Sequence, residues 1–270
     1  MKYKMICSDI DDTLLNSERT YSPLLADSIA RYTNAGGKFV IVTGRMTLGA
    51  IHVAKSLDLH GEILTFQGAM ASDIDSGKIL SSICIDTHSA SMVCEYLESQ
   101  SWYFHTYLGD AVITQKANEF TKMYTDISNV EYIETKIPMS EYLVKNGMTP
   151  PKIVICENEE LVPSILKDVK EKFCEKFWIN TSKPWIVEIV PKNINKGVGV
   201  ARLAEKYRIS KEEIICIGDS DNDIEMLQYA GLGVAVGNAS PSVKRAADLV
   251  APSCDDNGVG WVIDNYGFLK

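Results

Sequence analysis

The chain has little positive charge, no long apolar run and no paired cysteine motif. Its 27 lysines and arginines are outnumbered by 36 acidic residues, for a formal charge of −9, so we expect no binding surface for nucleic acid or an anionic membrane. No apolar run approaches the ~18 residues of a membrane span. The early acidic residue Asp9 leaves no room for the apolar region of a signal peptide. A cytoplasmic location is therefore expected.

Cysteine and histidine usage gives no sign of disulfides or of a zinc site. The seven cysteines are odd in number and lie in no CxxC or His/Cys cluster. Buried free thiols are therefore the favoured explanation. The four histidines show no metal or triad spacing either. What the chain does have is 46% hydrophobic residues over 270 positions, enough for one large domain or two unequal ones.

Short apolar runs recur along the chain, each followed by polar residues. They cover residues 5–9, 39–44, 62–68, 214–219 and 232–237. Helical segments separate several of them, and the first begins at the capping pair Ser22-Pro23 and ends at Gly36-Gly37. Apolar runs that do not alternate, separated by helices, indicate a parallel sheet covered on both faces. The predicted fold class is α/β, with a doubly wound parallel sheet.

The stretch between the third and fourth runs has a different pattern. Its β-like patches lie at 111–115, 152–156, 177–182 and 185–190, with a helical segment at 158–174. The last two patches are expected to form a hairpin with its turn at Ser182-Lys183. We therefore predict that residues 1–82 and 191–270 form a core domain and that residues 83–190 form an inserted α+β domain.

Polar residues follow several predicted strands directly. Asp9 and Asp11 come after the first run, Thr43 after the second and Asp219 after the fourth. Each one alone is better explained as a turn or helix-cap residue. Because ligands bind outside the carboxyl ends of parallel strands, however, all four are candidates for one crevice. Carboxylates gathered there would repel one another without a cation, and an all-oxygen ligand set favours Mg²⁺.

Four ordered segments resemble the motifs of the haloacid dehalogenase superfamily of phosphatases. They are DIDDTLL (9–15), IVTGR (41–45), Lys196 and GDSDND (218–223). Three shorter segments are similar to parts of the Cof-type members. They are GAM (68–70), VGNAS (236–240) and DNGVG (256–260). The resemblance covers most of the chain and implies that residues 83–190 form the type 2 cap that Cof-type members carry between their second and third motifs.

Two positions depart from the family pattern. Asp12 stands where the family most often has Gly, although Asp at this position also resembles known members. Gln67 precedes Gly68 where the family usually has Asn-Gly. The glutamine side chain reaches one methylene further, so contacts made by the family's Asn are not carried over to it.

The resemblance implies a Mg²⁺-dependent phosphatase with an aspartyl-phosphate intermediate. Asp9 is expected to be the nucleophile, and Asp11 the general acid and base. The implied phosphate-binding residues are Thr43, Gly44, Lys196 and Asn222. The implied metal ligands are Asp9, Asp11 through its main-chain carbonyl, Asp219 and Asp223. Without the resemblance, Lys196 would be explained as a solvated helix residue and Asp223 as a first-turn acid.

The expected substrate is a small phosphorylated metabolite, such as a sugar phosphate or a phosphorylated cofactor, and nucleotides stay open. Every catalytic candidate lies outside 83–190, so this region is expected to act as a lid that selects substrate. His105 and Lys183 are predicted to be exposed, substrate-selecting positions in it. A phosphomutase acting on a sugar phosphate would share every core motif. A non-catalytic phosphoreceiver is disfavoured, since it would be much shorter and would have no need of Asp11. The sequence indicates no oligomeric state.

Overall fold

The computed structural model describes residues 1–128 and 130–269. The first part of the chain forms β1 (Met5–Ser8), α1 (Pro23–Asn34), β2 (Lys38–Ile41), α2 (Thr47–Ser56), β3 (Glu62–Thr65), β4 (Met70–Asp73) and β5 (Ile79–Ser82). The middle part forms α3 (Thr87–Ser99), β6 (Phe104–Leu108), β7 (Ala111–Thr114), α4 (Glu119–Ser128), β8 (Tyr132–Glu134), α5 (Met139–Asn146), β9 (Ile153–Cys156), α6 (Val162–Phe173), β10 (Phe177–Lys183) and β11 (Ile186–Pro191). The last part forms α7 (Lys196–Tyr207), β12 (Ile214–Gly218), α8 (Ile224–Tyr229), β13 (Leu232–Ala235), α9 (Pro241–Ala246), β14 (Leu249–Val250) and α10 (Gly258–Val262).

The chain divides into two compact units. The first unit comprises Met1–Ser81 and Asn195–Lys270, and the second unit comprises Ser82–Ile194. The functions predicted for residues 83–190 and for the rest of the chain stay predictions. Every helix within 1–128 and 130–269 is too short or too polar to cross a lipid bilayer.

A five-stranded parallel sheet in the order β14-β13-β12-β1-β2 forms the centre of the first unit. All residues of β1 and β12 are buried, as expected for strands covered on both faces. The predicted α/β fold with a doubly wound parallel sheet is confirmed. Strand β3 differs from its neighbours: it meets the parallel strands through the single bridge Val42–Leu64 and pairs antiparallel with β4.

Helix α1 shows how local sequence and packing agree in this unit. The Ser22 side chain accepts a hydrogen bond from the Leu25 N–H, and Pro23 occupies the first turn, where its missing N–H costs nothing. Leu25, Ile29 and Tyr32 lie on one face and are buried in the apolar core. Burial of a leucine or isoleucine side chain in this way contributes roughly 1.5–3 kcal/mol.

The second unit contains a six-stranded sheet in the order β10-β11-β9-β6-β7-β8, antiparallel except between β7 and β8. Alternate residues of its strands, including Ile153 and Ile155, pack with α3, α5 and α6 in one apolar cluster. The predicted hairpin turn is displaced. Lys183 still pairs with Ile186 inside the ladder, so the turn lies at Pro184-Trp185 and not at Ser182-Lys183.

Candidate active site

The ends of three parallel strands bring polar residues to one edge of the first unit's sheet. Asp9 follows β1 and Asp219 follows β12, and the Asp9 N–H donates to the Ile217 carbonyl at 3.1 Å. Thr43 lies beyond the end of β2 and is buried. Parallel strands end at the same edge, and β1 lies between β12 and β2. The strand order therefore gathers these residues from distant parts of the sequence.

Three carboxylates and one lysine form the centre of this edge. Asp9, Asp219 and Asp223 each offer an oxygen within 4.8 Å of the others. The Lys196 Nζ lies 2.8 Å from Asp9 Oδ1 and 2.6 Å from Asp223 Oδ1. With a side chain only 1% exposed, Lys196 is no solvated helix residue.

Two glycines explain how a lysine at the start of α7 comes to be buried. The Asn195 side chain accepts from the Val198 N–H and so begins the helix at Lys196. A Cβ on Gly197 would lie 2.6 Å from the Glu225 carbonyl oxygen, and one on Gly199 would lie 2.8 Å from the Gly68 Cα. Helix α7 therefore packs backbone to backbone at both points. This close approach carries Lys196 to the carboxylates.

The loop after β12 is organised by Asp223. Its Oδ2 accepts the main-chain N–H groups of Asp219 and Ser220, both at 3.0 Å. A Cβ on Gly218 would lie 2.5 Å from the Asp223 side chain, so only glycine fits before this loop. Thr13 donates its hydroxyl to Asp219 Oδ1 at 2.7 Å. The sequence interpretation assigned Thr13 no role, although it belongs to the same DIDDT segment as Asp9.

Burial and the neighbouring charges together set the pKa values of the charged groups in this site. Burial raises the pKa of Asp9 to about 8, with Lys196 opposing the shift and the neighbouring carboxylates adding to it. Burial and Asp223 raise the pKa of Asp219 to about 6. Burial alone would lower the pKa of Lys196, but Asp223 and Asp9 outweigh it and raise the pKa. Ionising these carboxyls together therefore calls for further positive charge.

A magnesium ion fits this donor set. The close oxygens are hard ligands, and a divalent cation would supply the missing charge. Asp9 and Asp219 are the best placed to hold it, because both oxygens of Asp223 already accept hydrogen bonds, from Lys196 and from the loop. Among the described residues, the Asp11 side chain does not belong to this group.

Asp11 instead pairs with Arg45. The Arg45 Nε donates to Asp11 Oδ2 at 2.8 Å, and its Nη2 donates to Oδ1 at 2.6 Å. The Asp11 side chain is 40% exposed, in contrast to buried Asp9. Burial would lower the pKa of Arg45, but the hydrogen bonds to Asp11 outweigh it and raise the pKa. Sequence reasoning missed this partner, although Arg45 stands within the IVTGR segment.

The remaining predicted phosphate residues are joined through Gln67. Asn222 donates its Nδ2–H to Gln67 Oε1 at 3.2 Å, and the Gln67 main-chain N–H donates to the Thr43 carbonyl at 3.0 Å. The structure therefore links the loops that carry Thr43, Gly44 and Asn222. Gln67 was singled out from the sequence only as a departure from a family pattern.

The two positions predicted to select substrate, His105 and Lys183, lie in the second unit, and the predicted exposure of His105 is wrong. Lys183 is exposed as predicted. His105 is fully buried and not exposed, and the ring of Tyr124 on α4 packs against it. Its ring centroid is 4.4 Å from that of Tyr124. Burial, together with the charge of Lys152, lowers the pKa of His105 to about 3, which keeps the imidazole neutral.

A family model described as haloacid dehalogenase-like hydrolase matches residues 6–263. The 5-amino-6-(5-phospho-D-ribitylamino)uracil phosphatase YitU of Bacillus subtilis is 28% identical, with 97% of each chain covered. The phosphatase YwpJ of the same organism is 27% identical, with 96% of this chain and 98% of the relative covered. A crystal structure of a haloacid dehalogenase-like hydrolase from Bacteroides thetaiotaomicron superposes with a TM-score of 0.86 at 26% identity, covering 97% of this chain and 98% of the other. The structure of TM0651 from Thermotoga maritima gives 0.84 at 29% identity, with 97% of each chain covered.

Proposed function

The chain belongs to the haloacid dehalogenase-like hydrolases, and from that premise we propose that it hydrolyses a small phosphorylated metabolite through an aspartyl-phosphate intermediate with the help of Mg²⁺. The expected family and the expected class of enzyme, a phosphatase, are confirmed by the family model and by the named relatives. The observation that carries the finer proposal is the buried lysine held between two carboxylates, Lys196 between Asp9 and Asp223. This is an arrangement suited to a fixed nucleophile beside a bound anion.

Asp9 is the nucleophile of the proposed reaction. One of its carboxylate oxygens forms a bond to phosphorus while the bond from phosphorus to the ester oxygen breaks. Lys196 holds Asp9 in place through Oδ1 and offsets part of the negative charge on the reacting groups. Bound Mg²⁺ would be held by Asp9, Asp219 and the Asp11 main-chain carbonyl, and would neutralise charge on the carboxylates and the phosphate. Asp223 keeps Asp219 and Lys196 oriented through its hydrogen bonds.

Asp11 moves the protons. In the first step its carboxyl proton goes to the leaving ester oxygen, which departs as an alcohol. In the second step the Asp11 carboxylate takes a proton from the water whose oxygen attacks phosphorus, and Asp9 is released. The ion pair with Arg45 favours the carboxylate, which is the form needed for the second step.

Thr43, Gly44, Lys196 and Asn222 bind the phosphate group in this proposal. The Thr43 hydroxyl accepts the Arg45 main-chain N–H at 3.1 Å, which leaves its own O–H to donate to a phosphate oxygen. The relative YitU acts on a phosphorylated ribityl chain attached to uracil, as its name states. This supports a sugar phosphate or a phosphorylated cofactor as the substrate class.

The second unit, Ser82–Ile194, selects the leaving group in this proposal. All the reacting groups named above lie in the first unit, so the second unit has no part in the chemistry. Lys183 is its candidate contact with substrate. The proposed absence of nucleic-acid partners fits the acidic composition, with its formal charge of −9, and a cytoplasmic location is proposed with it.

The decisive experiment is a panel assay of released inorganic phosphate. The purified protein is given sugar phosphates, phosphorylated cofactors, nucleotides and an aryl phosphate, with Mg²⁺ and with excess chelator. We expect Mg²⁺-dependent release from at least one sugar or cofactor phosphate, and none from the matched Asp9→Asn variant. Conversion of a sugar phosphate to its isomer without phosphate release would instead identify a phosphomutase. No reaction with any ester would refute the proposal.

A further inference from the structure

Gln67 is a buried amide that touches two of the proposed phosphate-binding loops. The residue as a whole is 1% exposed. Its Oε1 accepts the Nδ2–H of Asn222 at 3.2 Å, and its main-chain N–H donates to the Thr43 carbonyl at 3.0 Å. Gln67 follows β3, so the loop after β3 contacts the loops after β2 and β12 that carry Thr43, Gly44 and Asn222.

The backbone around Gln67 is held in an unusual conformation. Phe66 and Gln67 have φ values of 51° and 59°, in the left-handed region that residues with a Cβ seldom adopt. The turn is fixed from outside, because the Phe66 N–H donates to the Arg45 carbonyl at 3.1 Å. A Cβ on Gly68 would lie 2.9 Å from the Asn195 carbonyl oxygen, so α7 packs directly on the turn. Strained residues of this kind persist where the surroundings over-determine them, and they concentrate at functional sites.

The side-chain amide of Gln67 lies directly against Gly44. A Cβ built on Gly44 would come within 2.6 Å of Gln67 Nε2. Gly44 has no positive φ, so the close approach of Gln67 explains the glycine better than backbone conformation does. The Gln67 amide thus spans from the Gly44 main chain to the Asn222 side chain.

The Asn222 amide is fixed from both ends. Its Oδ1 accepts the Ser220 hydroxyl at 2.7 Å, and one hydrogen of its Nδ2 goes to Gln67. An amide NH₂ group carries two hydrogens at a fixed angle. Gln67 therefore determines where the second Nδ2–H of Asn222 points.

We propose that Gln67 is a positioning residue of the phosphate site: its side-chain carbonyl orients the Asn222 amide so that the second N–H donates to an oxygen of the phosphoryl group. The inference rests on the proposed function, in which Asn222 and Gly44 bind phosphate. The same proposal explains why the length of the side chain at position 67 matters. An asparagine at 67 keeps the amide but falls one methylene short of the span between Gly44 and Asn222.

The test measures inorganic phosphate as a competitive inhibitor, together with kcat and KM for the best ester. The variants are Gln67→Met, which keeps the length without the amide, Gln67→Asn, which keeps the amide without the length, and Asn222→Ala. Both Gln67 variants should weaken phosphate binding and raise KM by about five- to tenfold, as expected for one misdirected hydrogen bond to a charged group. In a protein that already carries Asn222→Ala, adding Gln67→Met should change phosphate binding by less than about twofold, because residues acting through one contact are not additive.

The effect of Gln67→Met in the wild-type protein, compared with its effect in the Asn222→Ala protein, distinguishes a positioning role of Gln67 from a merely structural one. An equal loss from Gln67→Met with and without Asn222 would overturn the inference, and so would unchanged phosphate binding in either Gln67 variant. Thermal unfolding checks that the variants are folded; if Gln67→Met fails to fold, Gln67→Asn carries the test, since asparagine tolerates the left-handed region well. A wild-type protein that neither hydrolyses any ester nor binds phosphate would overturn the proposed function as well. Normal wild-type hydrolysis with additive variants would overturn this inference alone.

Discussion

The guanidinium of Arg45 donates a hydrogen bond to each carboxylate oxygen of Asp11, from Nε to Oδ2 at 2.8 Å and from Nη2 to Oδ1 at 2.6 Å. The Arg45 main-chain N–H also donates to the Thr43 hydroxyl. Arg45 therefore orients two groups of the proposed site. Its side chain holds Asp11, the proposed general acid and base, and its main chain holds the hydroxyl of Thr43, a proposed phosphate-binding residue. Such a two-point pair depends on the planar fork of arginine, which lysine lacks.

We expect Arg45→Lys to lower kcat by about tenfold or more, equal to ~1.4 kcal/mol of the barrier. The variant keeps the positive charge but holds Asp11 at one point only. Steady-state kinetics on the best ester provide the measurement. Arg31→Lys is the matched control, because Arg31 also pairs with an aspartate, Asp264, but in an exposed ion pair. A wild-type kcat in Arg45→Lys would show that the Arg45 pair does not position Asp11.

Asp9→Asn should abolish turnover and leave the fold intact. The amide oxygen still accepts from Lys196, but the amide is a poor nucleophile. Because the buried Asp9 carboxyl has a pKa of about 8, its ionisation costs free energy in the metal-free folded state. The melting temperature of the metal-free variant above pH 8 should therefore be no lower than that of the wild type. Turnover within about tenfold of wild type, ~1.4 kcal/mol in the barrier, would refute the covalent mechanism.

Asp11→Asn should be nearly inactive and should still bind Mg²⁺. The amide can neither protonate the leaving oxygen nor activate water. The described carboxylates that gather closely are Asp9, Asp219 and Asp223, and the variant keeps the main-chain carbonyl of residue 11. Calorimetric titration with Mg²⁺ gives the measurement, with Asp219→Asn as the variant expected to lose affinity. If Asp11→Asn lost Mg²⁺ affinity along with activity, this division of roles would be wrong.

The stabilisation by Mg²⁺ should grow with pH. In the metal-free protein the pKa values of Asp9 and Asp219 are about 8 and about 6, above their ordinary value of 3.8. The folded state therefore binds more protons than the unfolded state between about pH 4 and pH 8, and the free energy of unfolding falls as pH rises through that window. Mg²⁺ needs ionised carboxylates and replaces those protons. The melting temperature should rise more on adding Mg²⁺ at about pH 8 than at about pH 5. A shift as large at the lower pH would show that these carboxyls are not the ones that bind the ion.

Much of the first unit could be predicted because its sequence signals are local. Apolar runs such as Met5–Ser8 and Ile214–Gly218 mark buried parallel strands, and parallel strands end at one edge. The meeting of Asp9 with Asp219 follows from that rule. The strand partner of Glu62–Thr65 did not follow, since an apolar run does not state whether its neighbour is parallel or antiparallel.

The directions of the side chains, and therefore their contacts, were the main feature that could not be predicted from the sequence. The Arg45 contact with Asp11 and the Gln67 contact with Asn222 join residues that are far apart in sequence. The burial of His105 depends on which face of its sheet α4 covers, which strand periodicity alone does not fix. The pairing of Lys152 with Glu188, both buried and 2.6 Å apart, depends likewise on the register between β9 and β11.

Lys183→Glu should reorder a substrate panel without removing catalysis. Lys183 is an exposed cation at the end of β10, beside the turn at Pro184-Trp185, and it lies in the unit that contains none of the proposed reacting groups. Contacts to the leaving group change selectivity by roughly 1–3 kcal/mol. The kcat/KM of anionic or polyol esters should therefore change by about tenfold relative to one another, while a small activated aryl phosphate is still hydrolysed.

Lys145→Glu is the matched control for this prediction, because it makes the same charge change at another exposed position of the second unit, on α5. We expect it to leave the ranking of substrates unchanged. An equal change of ranking in both variants would point to the net charge of the second unit as the cause. A uniform loss on every ester in Lys183→Glu, including the aryl phosphate, in a protein that still folds and binds Mg²⁺, would place a catalytic group in the second unit. That outcome would refute the proposed separation of chemistry from substrate selection.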